Sequence, residues 1–154
     1  MTTSPSTRFC VRPAEPKDIN AITDCFFDSF NAPFFRYLFP PNKYIRGWIN
    51  EMWALGLKNP TDRTFCVEDT EQQNRIVAFS RWMVPQQDGN LERKYPAMDE
   101  SQFDMSVAGA FFVGMEQNRA KLEGGKPHWC ESLTLVFAVW SPRSGRFTEL
   151  VSLL

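Results

Sequence analysis

Apolar and polar positions recur along this chain in the order strand, helix, helix, strand, strand, helix, strand. Arg8 to Arg12 is apolar in its middle, from Phe9 to Val11, and predicts a short first strand that Pro13 ends. Glu15-Pro16-Lys17-Asp18 has the chemistry of a helix start, with Pro in the first turn and carboxylates at the positive end of the helix dipole. Ile19, Ile22, Phe26 and Phe30 follow at helical spacing until Asn31-Ala32-Pro33. A second helix is predicted from about Pro41 to Leu57, with Ile45, Ile49 and Met52 on one face and Trp48 and Trp53 beside it. Asn59-Pro60 stops it, because the residue before a proline is disfavoured in the helical region. Thr64 to Glu68 and Ile76 to Val84 predict two strands joined by a polar turn, a hairpin. Residues 86–99 read as a polar linker, and a third helix is predicted from about Glu100 to Leu122. Its stripe is Phe103, Val107, Phe111 and Met115, widened by Ala108 and Phe112, and Gly124-Gly125 closes it.

The strongest β signal is the stretch from Lys126 to Trp140, rich in β-branched and aromatic residues and bounded by Gly124-Gly125 and Ser141-Pro142. It predicts a strand buried on both faces. The order of elements predicts an α+β fold, a mixed β-sheet flanked by helices on both sides with the 126–136 strand in its interior. One domain is expected over residues 8–154, preceded by a flexible polar tail over 1–7.

Composition narrows the partners. A net charge of -1 leaves no basic surplus to neutralise phosphates, so nucleic acid is not an expected partner. No stretch has the length of a membrane span and the first residues lack an apolar signal region, so no membrane partner is expected either. Cys10, Cys25, Cys66 and Cys130 are widely spaced with no C-x-x-C pair, which argues against a metal site or a disulfide framework. A reducing cytoplasmic or nuclear setting is expected. With 14 Phe and 5 Trp, the chain can build a large core or line a ligand pocket with the same rings. The segment Pro33-Phe34-Phe35-Arg36-Tyr37-Leu38-Phe39-Pro40-Pro41 poses the same choice locally, a packed helical turn or the wall of a pocket.

Candidate chemistry gathers at the start of the last strand. His128, the single histidine, is either a structural residue or an acceptor-site proton relay. Glu131 lies in an apolar strand, where burial would raise its pKa toward neutrality and suit it as a general base; the other reading is a rim carboxylate paired with Lys126 or an arginine. Cys130 reads as a small buried hydrophobe. Glu116, Arg119 and Lys121 read as the wet face of the third helix.

The order of elements, with Arg12-Pro13-Ala14 ahead of the first helix, resembles the GCN5-related N-acetyltransferase (GNAT) superfamily. The likeness is to a fungal branch, carried by the segment from Asp28 to Pro41, the strand Ile76 to Trp82, the added helix, and Lys126-Pro127-His128-Trp129 followed by Glu131-Ser132-Leu133. It covers roughly residues 8–136. It implies acetyl-CoA as co-substrate, a small-molecule amine as acceptor, and catalysis by Glu131 or His128. It implies that the backbone of Leu133, Thr134 and Leu135 lies along the pantetheine arm. The family then has a turn of the form Q/R-x-x-G-x-G/A whose backbone N–H groups hold the diphosphate at a helix start. Placing Arg143 first in that turn puts Arg146 and Thr148 at its small-residue positions, and a register using Gly145 loses the other matches. Arg143, Gly145 and Arg146 are therefore either a remnant of the diphosphate site or a solvated tail. The resemblance implies a chain truncated or altered after about residue 136, with the C-terminal part of the fold missing and a sheet edge left open to self-association.

Overall fold

The computed structural model describes residues 8–87, 89, 95–136, 139–141 and 146–148, those from Glu131 onward as backbone only. Strand β1 (Phe9–Pro13) is followed by a 3-10 turn and by helix α1 (Ile19–Ser29). Pro33–Leu38 forms a short helix of its own, α2, so the aromatic segment is a helical turn. Proline opens it at the first turn, where a missing N–H goes unmissed. Helix α3 (Lys43–Lys58) is capped by Asn42, whose side chain accepts from the Ile45 N–H at 2.9 Å. Strands β2 (Asp62–Asp69) and β3 (Arg75–Met83) form the expected hairpin.

Helix α4 (Met105–Glu123) begins later than its apolar stripe suggests. Asp104 fixes the start, accepting from the N–H groups of Ser106 and Val107, and Gly124 ends the helix in the left-handed conformation that glycine tolerates. Strand β4 (Cys130–Val136) follows, then a small hairpin of β5 (Val139–Ser141) and β6 (Arg146–Thr148).

The main sheet has the order β1-β2-β3-β4, and every described ladder is antiparallel. The mixed character expected from the helical crossover is absent among these ladders for a simple reason. Met83 at the end of β3 pairs with Cys130 at the start of β4, so the linker and α4 return the chain to the end of the sheet it left. The 126–136 strand was expected in the interior; among the described residues β4 stands at an edge of the main sheet, with β3 as its neighbour.

The sheet is flanked by helices, but they gather on one face. Ile22 and Phe26 of α1, Leu38 of α2, Ile45, Ile49 and Trp53 of α3 and Ala108 of α4 share one core with Cys66, Ile76 and Phe79 of the sheet. The other face holds a small cluster of Val67, Val77 and Ala78 with Phe9, and no helix residue joins it. A bulge explains how neighbours Val77 and Ala78 share this face, since adjacent residues of a regular strand point to opposite faces. The β2–β3 register slips between Val67 and Glu68, leaving Val77 as the extra residue on β3.

Salt bridges brace the sheet to what precedes it. Arg12 on β1 donates to Asp18 at 2.6 and 2.9 Å and to Glu68 on β2 at 2.6 and 2.8 Å. Arg8 clasps the buried Asp69 in the same way. The arginine hydrogen bonds hold the carboxyls of Asp18 and Asp69 below the usual carboxylate range, against the opposing effect of burial. No described helix is long and apolar enough to cross a membrane.

Candidate active site

The β3–β4 ladder places the candidate residues. Leu135 pairs with Phe79, Thr134 with Ser80, Leu133 with Arg81 and Glu131 with Trp82. The register slips between Arg81 and Trp82, so Ser132 is an unpaired extra residue between Glu131 and Leu133. A bulge of this kind bends a strand and re-aims its groups, and such bulges recur beside active sites. The edge of β4 away from β3 has no described partner strand. Alternate residues of an antiparallel strand turn their N–H and C=O away from the partner, so part of the Leu133–Leu135 backbone faces that edge.

His128 lies just ahead of β4. Its Nδ1 is 2.7 Å from the Lys126 carbonyl oxygen, which can only accept, so Nδ1–H donates. The Glu131 carboxylate lies outside the described side chains. Arg143 and Gly145 fall outside the described residues, as does the tail over 1–7. Arg146 begins β6. Where the resemblance expects a turn opening a helix, the described backbone on either side forms a hairpin, Val139 pairing with Thr148 and Ser141 with Arg146.

Cys130 is buried, as expected for a small hydrophobe, with Arg119 Nη1 at 3.9 Å from its sulfur. Arg119 also pairs with Glu116, one turn back on α4. It therefore turns inward and is not part of a wet face.

Two further features stand beside these residues. The first is the pair Arg81–Asp62. Arg81 Nε donates to Asp62 Oδ2 at 2.8 Å and Nη2 donates to the same oxygen, and the Asp62 side chain is only 1% exposed. Gly56 of α3 makes room for it: a Cβ there would lie 2.6 Å from Arg81 Cζ. A glycine inside an otherwise amphipathic helix is the signal that could have pointed to this contact. The second is a cavity of about 90 Å³ walled by Phe35, Phe39, Trp48, Trp53, Phe112 and Arg81, among others. The aromatic segment is thus both a packed helical turn and a pocket wall.

A larger groove of about 700 Å³ beside β1 and α1 carries Arg12, Lys17, Asp18 and Glu68. Its charges are spent on one another, Arg12 on Asp18 and Glu68 and Lys17 on Glu15. No group of side chains suited to holding a metal occurs among the described residues.

No family model and no curated protein matches the chain. Solved structures do. The C-terminal condensation domain of Ebony, in complex with beta-alanyl-dopamine, is similar with a TM-score of 0.55 at 15% identity, over 88% of this chain and 62% of that one. An acetyltransferase related to histone acetyltransferases, from Corynebacterium glutamicum, is similar with a TM-score of 0.46 at 15% identity, over 86% of this chain and 62% of that one. Spermidine N-acetyltransferase from Vibrio cholerae, in complex with CoA and spermine, gives a TM-score of 0.35 at 15% identity, over 76% of this chain and 66% of that one. The chain spans about 62% of the length of the first two. Its fold is the GNAT-like α+β fold, an antiparallel sheet with a helical layer, with β4 at an edge of the four-stranded sheet among the described residues.

Proposed function

We propose that the chain is an acetyl-CoA-dependent N-acetyltransferase of the GNAT type, with a small amine as acceptor and one domain over residues 8–154. The observation that carries this reading is the fold shared over 88% of the chain with a domain holding β-alanyl-dopamine, itself an N-acylated amine. The outer edge of β4 supports it, since Leu133 to Leu135 offer backbone groups to the amides of pantetheine. Arg143 and Arg146, with Gly145 between them, face the diphosphate in this reading.

In the reaction the neutral amine nitrogen attacks the thioester carbonyl carbon. The N–C bond forms, the C–S bond breaks, and the thiolate leaves. One amine proton passes to Glu131 or, by way of His128 Nε2, to water, and the thiolate takes up a proton to end as free CoA thiol. The bulge at Ser132 sits beside Glu131 and would turn that position relative to the ladder.

The test is incubation of the full chain with acetyl-CoA and a panel of primary amines, followed by mass spectrometry of the products. Formation of an N-acetylated amine that depends on the protein supports the reading. Loss of the rate at low pH in the native chain but not in Glu131→Gln would assign the base. No product from any amine, together with no binding of acetyl-CoA, overturns it. The β5–β6 hairpin favours a second reading, a non-catalytic chain of the same fold that binds a partner, because short strands stand beside the segment where a phosphate-binding helix would begin.

A further inference from the structure

Helix α4 meets the aromatic layer of α2 and α3 through ring contacts of 5.8 to 6.4 Å. Phe30–Phe35 and Phe26–Phe30 have centroids 4.3 and 4.7 Å apart. Across the α4 seam, Phe35–Phe111, Phe39–Phe112 and Trp48–Phe112 are 6.3, 6.3 and 6.4 Å apart. These lie toward the long end of the range in which aromatic rings attract. A partly open cavity of about 90 Å³ lies along this seam, several times the roughly 10–15 Å³ in which one water fits. Protein interiors are close-packed and voids of this size are few. An apolar void stays dry but accepts an arene.

The wall is aromatic apart from a few side chains, and it carries N–H donors. Arg81 commits Nε and Nη2 to Asp62, leaving Nη1 outside that pair. Trp53, 2% exposed, has a buried Nε1 with no hydrogen-bond partner among the described residues. Buried donors in folded proteins are nearly always paired, so a donor without a partner beside a cavity points to an occupant that can accept an N–H, which the face of an aromatic ring does weakly. Arg81 also pairs with Leu133 across the β3–β4 ladder, which puts the cavity beside the strand assigned above to the thioester.

We propose that this cavity binds the aromatic ring of a small amine, the acceptor of the proposed acetyl transfer; the inference rests on that reaction. The ring lies among the faces and edges of Phe39, Trp48 and Phe112, and its side chain runs past Arg81 toward β4. The Arg81–Asp62 pair is neutral as a unit and neither repels nor traps the amine.

The test uses 2-phenylethylamine and ethylamine, titrated calorimetrically into the full chain. 2-Phenylethylamine is expected to bind more than about tenfold more tightly, in line with the discrimination apolar pockets give. Met115→Trp, at a lining position 38% exposed, is expected to fill the cavity and abolish that preference while the melt stays cooperative. Phe112→Trp serves as the second filling variant. Equal affinity for the two amines overturns the proposal, as does a preference that survives both filled variants. Acetylation is then measured with both amines. Acetylation of ethylamine as fast as 2-phenylethylamine, without ring binding, contradicts the cavity and leaves the reaction intact. Ring binding without acetylation of either contradicts the reaction and the acceptor role together.

Discussion

Gly56→Ala gives a sharp test of how α3 and the sheet fit together. In an exposed helix this substitution stabilises by about 1 kcal/mol, because glycine loses more backbone freedom on folding. Here the new Cβ would lie 2.6 Å from Arg81 Cζ and 2.8 Å from Nη2. Reaching ordinary contact at 3.4 Å requires the guanidinium to move by about 0.8 Å. That motion pulls it from Asp62, whose side chain is 1% exposed. Breaking a buried pair so that one charge is left uncompensated costs about 3–5 kcal/mol. Against the helix gain of about 1 kcal/mol, Gly56→Ala is expected to destabilise by about 2 kcal/mol or more. Urea unfolding followed by circular dichroism measures it. The same substitution in an Arg81→Ala background removes the clash, so there it is expected to be neutral or mildly stabilising. A wild-type background in which Gly56→Ala is neutral or stabilising would refute the reasoning.

Acid should loosen the braces in a defined window. The carboxyls of Asp18 and Asp69 are depressed by their arginines, and that of Asp104 is held down to about 2, first by the Tyr37 hydroxyl at 2.6 Å and then by Ser106. Depressed carboxylates stabilise fully above the unfolded value of about 4 and lose that contribution as pH falls through the folded value. Melting temperature is thus expected to fall below about pH 4, and a flat profile down to pH 2 would contradict the pairing. Asp104→Ala should fray the start of α4, seen as faster amide exchange at Ser106 and Val107; unchanged exchange would remove Asp104 as the cap. Burial pushes the thiols of Cys25 and Cys66 up to about 12 and about 11, so at pH 8 both should resist thiol reagents until the chain is denatured, whereas the exposed Cys10 reacts at once.

Local patterns carried much of the fold. The helical spacing of Ile45, Ile49 and Met52 marks α3, which buries that face against the core, and the apolar run from Ile76 to Phe79 marks β3, which buries both of its faces. The start of α4 was misplaced because Phe103 is buried yet stands before the helix, while Asp104 makes the cap. The gathering of the helices on one face was not legible, since an amphipathic stripe says that a helix is buried and not against which side of a sheet. The candidate site divides the same way. Leu133 to Leu135 could be placed from strand pattern and resemblance, whereas Arg81 and Asp62 meet only through a register and a distant glycine.

Isothermal titration of the full chain with acetyl-CoA tests the central proposal most directly. Without glycines at the turn, two or three charge-assisted amide bonds to the diphosphate are lost, at roughly 1.5–3 kcal/mol each. The account therefore predicts one saturable site with a dissociation constant moved from micromolar toward roughly millimolar, and desulfo- or dephospho-fragments that keep the pantetheine arm should compete for it. Absence of saturable binding of acetyl-CoA across that range would contradict the assignment of β4 as a thioester-binding strand.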